Sequence, residues 1–156
     1  MVKSFGQIHS GFRIVANDCT VDERWHNFQN FAEWYYDNYI EGYHLDKDIL
    51  FKGNKIYSPE TCCFVPQEIN KLFTKRQSKR GDYPIGVISN KKRFISIFTK
   101  EKKIFYLGSF ATPEEAFIAY KTEKENRIKE IANKWKGLIS DKVYQALINY
   151  QVEITD

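Results

Sequence analysis

The sequence predicts an α+β fold. A small N-terminal αβ module is expected first, then a three-stranded antiparallel sheet packed on a long helix, then a short C-terminal helix. Three observations predict this class: aromatic residues at helical spacing over residues 25–39, three extended runs within residues 85–107, and a helix start at residues 112–115. With 156 residues and 42% hydrophobic content, the chain can form one compact domain or two small modules in contact.

The N-terminal module is predicted over residues 1–74. Eight aromatics lie within residues 25–43, and their three- and four-residue spacing predicts a helix packed on several sides. Extended pieces follow at residues 44–50 and 55–57, and the Gly53-Asn54 pair between them predicts a hairpin turn. Pro66 is expected at the first position of a short helix.

A polar, basic linker is predicted over residues 75–82, and the second module over residues 83–156. The linker cations are Lys75, Arg76, Lys79 and Arg80. The second module opens with extended runs at residues 85–89, 93–98 and 103–107, separated by short polar stretches, which predict an antiparallel meander.

A long helix is predicted to follow the meander. Thr112 supplies a cap, Pro113 stands at the first helical position and Glu115 at the third, which is a capping box. Apolar residues then recur at helical spacing up to Trp135, and Gly137 is expected to end the helix. Ser140 is predicted to cap the last helix.

Strand alternation divides the residues of the meander between two faces of the sheet. Against the helix we expect Phe94, Ser96, Phe98, Phe105 and Leu107. On the other side we expect an apolar set, here called the isoleucine face: Ile88, Ile95, Ile97, Ile104 and Tyr106. One helix covers only one side of such a sheet, so this face must meet solvent, the N-terminal module or a partner. It could present on the order of 400 Å².

Charge is distributed unevenly along the chain. Residues 1–70 have a net charge of −4 and residues 71–156 a net charge of +8, which sums to the overall +4. The basic half suits a polyanion, and the linker cations together with Lys91, Lys92 and Arg93 are the candidate phosphate contacts. The three cysteines, two of them adjacent, predict reduced thiols and no zinc site, and no apolar run is long enough to cross a bilayer.

A resemblance to a known domain is carried by Ile85-Gly86-Val87, by residues 94–98 and most specifically by residues 107–120. Through them, residues 83–136 resemble the plant ethylene-response-factor (APETALA-type) DNA-binding domain. In that family arginines and a tryptophan on the exposed sheet face contact DNA in the major groove. Family arginines fall here at Ile85, Ile88, Thr99 and Ile104, a glutamate at Ile97 and the tryptophan at Tyr106. The resemblance therefore implies a sheet of this fold that has lost nearly all of its DNA-contacting residues.

A second similarity is carried by residues 19–21, 25–28, 31–34, 45–50, 53–55 and 57–66. Through them, residues 19–74 are similar to the N-terminal part of bacteriophage proteins that join a His-Asn-His nuclease-like module to such a sheet domain. It implies a phage origin and a degenerate module, because the usual aspartate-histidine pair is Asp46-Lys47 and the later asparagine position is Thr61. His44, on the same strand face as Asp46, is the candidate replacement for the missing histidine.

These observations predict a catalytically inactive phage protein that acts in the host cytoplasm and binds a host protein complex through the isoleucine face. A defence nuclease complex, CRISPR-Cas or restriction, is the expected target. The isoleucine face could instead be covered by the N-terminal module or by a second copy in a homodimer. The alternative function is a sequence-tolerant DNA-binding protein or a nicking, homing-type endonuclease. No membrane partner and no cofactor are expected, with a divalent metal required only if nuclease activity survives at His44, Asp46, Lys47 and Thr61.

Overall fold

The computed structural model describes residues 19–73 and 82–156 and has the predicted α+β architecture. In the N-terminal part the strands are β1 (Thr20–Val21), β2 (Tyr43–Asp46), β3 (Ile56–Tyr57) and β4 (Cys63–Pro66), and the helices are α1 (Phe28–Asn38) and α2 (Gln67–Phe73). In the C-terminal part the strands are β5 (Val87–Asn90), β6 (Arg93–Lys100) and β7 (Lys103–Phe110), and the helices are α3 (Pro113–Lys134) and α4 (Asp141–Ile148).

The predicted aromatic helix is present, but it begins later than expected. A 3-10 turn, Glu23–His26, comes first, and α1 starts after Asn27, whose side-chain oxygen accepts a hydrogen bond from the Gln29 amide at 3.0 Å. Trp25 and Phe31 are buried and their rings meet edge to face, with centroids 5.2 Å apart. The aromatics therefore form a small hydrophobic core, as their spacing indicated.

The hairpin predicted around Gly53-Asn54 is wrong. β3 pairs in parallel with β1, while β2 pairs antiparallel with β4. The side-chain amide of Asn54 donates hydrogen bonds to the backbone carbonyl oxygens of Lys47 and Ile56, at 2.9 and 2.7 Å. These side-chain bonds replace the cross-strand ladder that a hairpin would need. Residues 47–55 therefore form a loop that is held together by the Asn54 side chain. The predicted short helix follows β4 as α2, and it starts one residue after Pro66.

The predicted meander is confirmed as a sheet with strand order β5-β6-β7. β5 begins at Val87, because Gly86 has a φ of +78° and the Val87 amide closes a turn onto the Pro84 carbonyl. β6 and β7 extend beyond the predicted runs, because a two-residue turn, Glu101-Lys102, joins them where four residues were expected.

The helix α3 belongs to two hydrophobic cores. Its capping box forms as predicted, with Thr112 accepting from the Glu115 amide. The first half packs Phe117 and Tyr120 on the sheet, while the second half packs Ile128 and Ile131 on the N-terminal module and α4. Buried members of this second core are Ile49, Val65, Ile69, Ile128, Ile131, Ala132, Ile139, Val143 and Leu147. The two predicted modules are thus joined by a common core, and residues 75–81 of the linker lie outside the described residues.

The segment after α4 links the two cores. Ser140 caps α4 as predicted, accepting from the Val143 amide. Beyond the helix, Tyr150 packs against both cores and Val152 is buried in the sheet core. Lys52 of the N-terminal module donates to the Gln151 carbonyl at 2.8 Å. In the part of the chain described, no helix is long and apolar enough to cross a membrane.

Candidate functional site

The isoleucine face lies on the side of the sheet away from α3, where alternation placed it. Ile88 is directly opposite Ile95, Ile97 is opposite Tyr106, and Ile104 is opposite Thr99. Ile88, Tyr106 and Ile104 are 46%, 64% and 69% exposed, and Ile95 and Ile97 are half-buried between them. The five residues form one continuous apolar surface across all three strands.

The opposite side of the sheet is held against α3 by close packing. Phe98 is buried there, and the Ser96 side chain is fully buried with no hydrogen-bond partner among residues 19–73 and 82–156. Gly86 lies so close to Tyr120 that a Cβ atom at this position would be 2.0 Å from the ring. This contact fixes which face of the sheet is inside. Phe105, expected inside, is half-exposed at the end of the sheet.

Basic turns bound the isoleucine face at both ends. Lys91 and Lys92 form the turn between β5 and β6, and Lys102 lies in the turn between β6 and β7. Lys91 and Lys102 have φ values of 56° and 65°, a left-handed conformation that costs L-residues energy and glycine little. Arg93 crosses the end of the sheet, where its Nε atom donates to the Ser109 hydroxyl at 2.9 Å.

Of the four candidate nuclease residues, Asp46, Lys47 and Thr61 stabilise the local structure, and His44 does not. Asp46 Oδ1 accepts hydrogen bonds from the amides of Asp48 and Ile49, at 2.7 and 2.8 Å, so it caps the following bend. The Thr61 hydroxyl donates to the Ile56 carbonyl at 2.8 Å and stabilises the turn before β4. His44 is exposed on β2.

The Lys47 side chain is buried, and its positive charge is paired with the Asp48 carboxylate. Its Nζ atom donates to Asp48 Oδ1 at 2.7 Å and to the Asn54 carbonyl at 2.8 Å, and it lies 5.7 Å from the centre of the Tyr57 ring. Burial lowers the pKa of Lys47, but the hydrogen bond to Asp48 and the charge of that carboxylate raise it more, and the net pKa lies above the ordinary value. An ammonium held in this way is a poor general base at neutral pH.

Burial also sets the chemistry of the neighbouring acid and thiols. It raises the pKa of Asp46, against the hydrogen bonds from the two amides, and raises the pKa of Cys62 to about 11 and of Cys63 to about 12. All three cysteines are free thiols. Across residues 19–73 and 82–156, no group of three or more His, Cys, Asp or Glu side chains is placed to hold a metal ion.

The N-terminal module does not cover the isoleucine face in the described part of the chain. Its residues Ile49, Val65 and Ile69 pack on the second half of α3 and on α4, and the outward side chains of β5 and β7 remain exposed. Covering by a second copy stays a prediction. The linker cations Lys75, Arg76, Lys79 and Arg80 fall outside the described residues, while Lys91, Lys92 and Arg93 are all exposed.

Sequence reasoning missed one feature of this surface. Lys102 and Lys103 add positive charge where the turn between β6 and β7 meets the isoleucine face. A two-residue turn, if predicted at Glu101-Lys102, would have placed both lysines at the edge of the face. The sequence Lys-Glu-Lys lacks the glycine or asparagine that marks a two-residue turn, so a longer turn was expected.

Comparison of the chain with protein-family models, with curated proteins and with solved structures gave no match.

Proposed function

We propose that this chain is a non-catalytic, phage-derived protein that binds a host protein through the isoleucine face. The exposure of Ile88, Ile104 and Tyr106 on one continuous surface carries the proposal. Branched aliphatic side chains cannot pair with the donors and acceptors of base edges, and burying those groups unpaired is costly. A protein surface with its own apolar centre can bury this face without that cost.

The size of the face implies that the contact extends beyond it. A stable interface buries about 800 Å² on each partner, about twice the area expected of the isoleucine face. The surrounding area belongs to the turns, with Lys91 and Lys92 at one end and Lys102 and Lys103 at the other. An apolar centre with a charged rim is the usual anatomy of a protein interface.

Loss of catalysis is part of the proposal. The position that should carry a general base is Lys47, whose ammonium is bound to Asp48, and one oxygen of Asp46 is used by two backbone amides. The host target, a defence nuclease complex of the CRISPR-Cas or restriction type, is proposed from the phage resemblance of residues 19–74. The isoleucine face by itself supports a protein partner and does not identify which protein it is.

Co-purification from a bacterial host tests the proposal. The tagged chain is compared with two double variants. The first carries Ile88→Asp and Ile104→Asp, and the control carries Ile118→Asp and Leu138→Asp, which places the same charge on side chains that are 60% and 61% exposed away from the sheet. We expect the unchanged chain to retain a host protein after nucleic acid is digested, the first variant to retain about tenfold less of it, and the control to retain the same amount. Loss of the host protein on nuclease treatment, or equal behaviour of the two variants, would refute the proposal.

DNA binding is the second candidate, and the exposed cations Lys91, Lys92 and Arg93 favour it. They could hold phosphates without reading bases, and the affinity would then fall steeply as salt rises. Duplex binding with a steep salt dependence, reduced by changing Lys91 and Lys92 to Gln and unaffected by Ile88→Asp, would favour this candidate. Metal-dependent nicking abolished by Asp46→Ala would favour its enzymatic form.

A further inference from the structure

β7 is an open edge of the three-stranded sheet. It is eight residues long and pairs only with β6 within the described residues. Its first four residues, 103–106, are all exposed. A long exposed edge with apolar side chains is a template for another strand, and most proteins protect such edges.

The backbone of β7 directs N–H and C=O groups toward this edge. The Ile97 amide donates to the Gly86 carbonyl at 2.8 Å, so the main-chain groups of Ile97 are directed toward the β5 side of β6. In an antiparallel ladder, bonded and non-bonded pairs alternate. Ile97–Tyr106 and Thr99–Ile104 are therefore non-bonded pairs, and the N–H and C=O groups of Ile104 and Tyr106 are directed away from β6, toward the open edge.

The side chains along the same stretch are apolar on both sides. Ile104 and Tyr106 lie on the isoleucine face and Phe105 on the opposite side, all exposed. A register shift follows, where Ser96 pairs with Gly108 and Ile97 with Tyr106, and such a bulge interrupts regular pairing. The open stretch is thus limited to about four residues, with apolar contacts available above and below an added strand.

Charge at the adjacent turn indicates the kind of segment that fits. Lys100 lies 3.7 Å from Glu130 and Glu101 lies 4.0 Å from Arg127, so these two charges are matched. Lys102 makes no ion pair within residues 19–73 and 82–156, and neither does the adjacent Lys103. An incoming strand with a carboxylate at its end would meet these two lysines.

A second copy of the chain fits this edge poorly. Pairing of residues 103–106 with the same residues of a second copy about a two-fold axis places Lys103 of each copy opposite Tyr106 of the other. Lys102 and Lys103 of both copies then lie along one short ladder, with the two Lys103 residues about 11 Å apart. Like charges brought together in this way oppose the association.

We infer that β7 binds an extended segment of an acidic partner protein, which adds a fourth strand beside residues 103–106 with apolar side chains at alternate positions and a carboxylate near Lys102 and Lys103. This inference rests on the proposed function and names the contact by which the partner is held. Main-chain bonds supply affinity in this mode of recognition, and alternate side chains supply specificity.

A designed peptide tests the edge directly. The probe is a short peptide of alternating valine and threonine with a glutamate at each end, titrated into the ¹⁵N-labelled full chain and followed by NMR. We expect the amides of Ile104 and Tyr106 to shift and their hydrogen exchange to slow about tenfold at saturation. A peptide with lysine in place of both glutamates should bind more weakly.

Three variants separate the edge from its surroundings. Ile104→Pro removes an outward N–H and should weaken peptide binding about tenfold, while Ile104→Ala keeps the N–H and should bind more tightly than the proline variant. Ser89→Pro is the matched control, because Ser89 lies opposite Phe94 on the other edge of the sheet, in a pair that the same alternation leaves non-bonded. It should leave peptide binding unchanged.

The outcomes distinguish this inference from the proposed function. Absence of shifts at Ile104 and Tyr106 with about 1 mM peptide overturns the edge site, as does equal weakening by Ile104→Pro and Ser89→Pro. A dimer in sedimentation that Ile104→Pro dissociates would assign the edge to a second copy and also overturn the inference. If host-protein capture responds to Ile88→Asp while the peptide does not bind, only the edge inference falls. If the peptide binds and capture ignores Ile88→Asp, the proposed function falls.

Discussion

Substitution of Gly86 by alanine should destabilise the sheet domain strongly. Gly86 has a φ of +78°, where a residue with a Cβ atom is strained, and the added Cβ would be 2.0 and 2.4 Å from two carbon atoms of the Tyr120 ring. Neither Tyr120, which is buried, nor the backbone at residue 86 can move without disturbing the packing of α3 on the sheet.

The magnitude follows from two costs. The left-handed backbone conformation costs an alanine about 1 kcal/mol relative to glycine, and overpacking of a core costs about 1–3 kcal/mol more. The free energy of unfolding should therefore fall by about 2–4 kcal/mol. Gly42→Ala isolates the first cost, because Gly42 has a φ of +80° and, in the part of the chain that the structure describes, no atom beyond its two chain neighbours lies within 4 Å of an added Cβ.

Urea unfolding followed by circular dichroism measures all of these variants. The double variant Gly86→Ala with Tyr120→Ala should lose less stability than the sum of the two single changes, because the ring that meets the new Cβ is gone. If Gly86→Ala cost no more than Gly42→Ala, the close approach of α3 to this side of the sheet would be incorrect. The assignment of the isoleucine face as the outer face would then lose its support.

Three further results are expected. Asp46→Asn should raise the melting temperature at neutral pH, because burial raises the pKa of this carboxyl and penalises its ionised form. The gain in melting temperature should vanish as the pH falls through that raised pKa and the native carboxyl is protonated. A gain that persists in acid would contradict this cause. Lys102→Gly should increase the free energy of unfolding in urea by about 0.5 kcal/mol, since Lys102 has a φ of 65°, and a loss would show that the turn is not strained. Alkylation of Cys62 and Cys63 near pH 8 should be more than about tenfold slower in the folded chain than in urea, and equal rates would contradict their raised pKa values.

The parts of the fold that could be predicted are those with local causes. The capping box at Thr112 and the alternation along β6 depend on residues a few positions apart, and both were predicted correctly. The strand pairs β1–β3 and β2–β4 join segments far apart in sequence, which local patterns do not specify. The hairpin at Gly53 failed because the side chain of Asn54 satisfies backbone groups that a ladder would otherwise bind.

The candidate site was predictable in part for the same reason. Alternation identified the side of the sheet that carries Ile88, Ile97 and Ile104, because that choice depends on strand periodicity alone. Whether the N–H and C=O groups of Ile104 are directed toward β6 or away from it depends on which cross-strand pairs are hydrogen-bonded. The turn at Glu101 sets this alternation. That turn has residues with no strong turn preference, so the open edge became visible only in the structure.

The shared core shows a further limit of sequence patterns. The spacing of Ile128 and Ile131 indicated one apolar stripe on the long helix, but a stripe does not identify what it packs against. In the structure these residues contact Val65 and Ile69 of the N-terminal module instead of the sheet. As a result, the described N-terminal residues lie on the helix and leave the isoleucine face exposed.

Methyl NMR of the isoleucines tests the central claim most directly. The full chain, labelled at isoleucine δ1 methyl groups, is mixed with a nuclease-treated host fraction that binds it. We predict that the signals of Ile88, Ile95, Ile97 and Ile104 broaden or shift, while that of Ile118 on the outer surface of α3 stays sharp. The account would be contradicted if Ile118 changed and the sheet methyls did not, or if the sheet methyls responded only when duplex DNA was added.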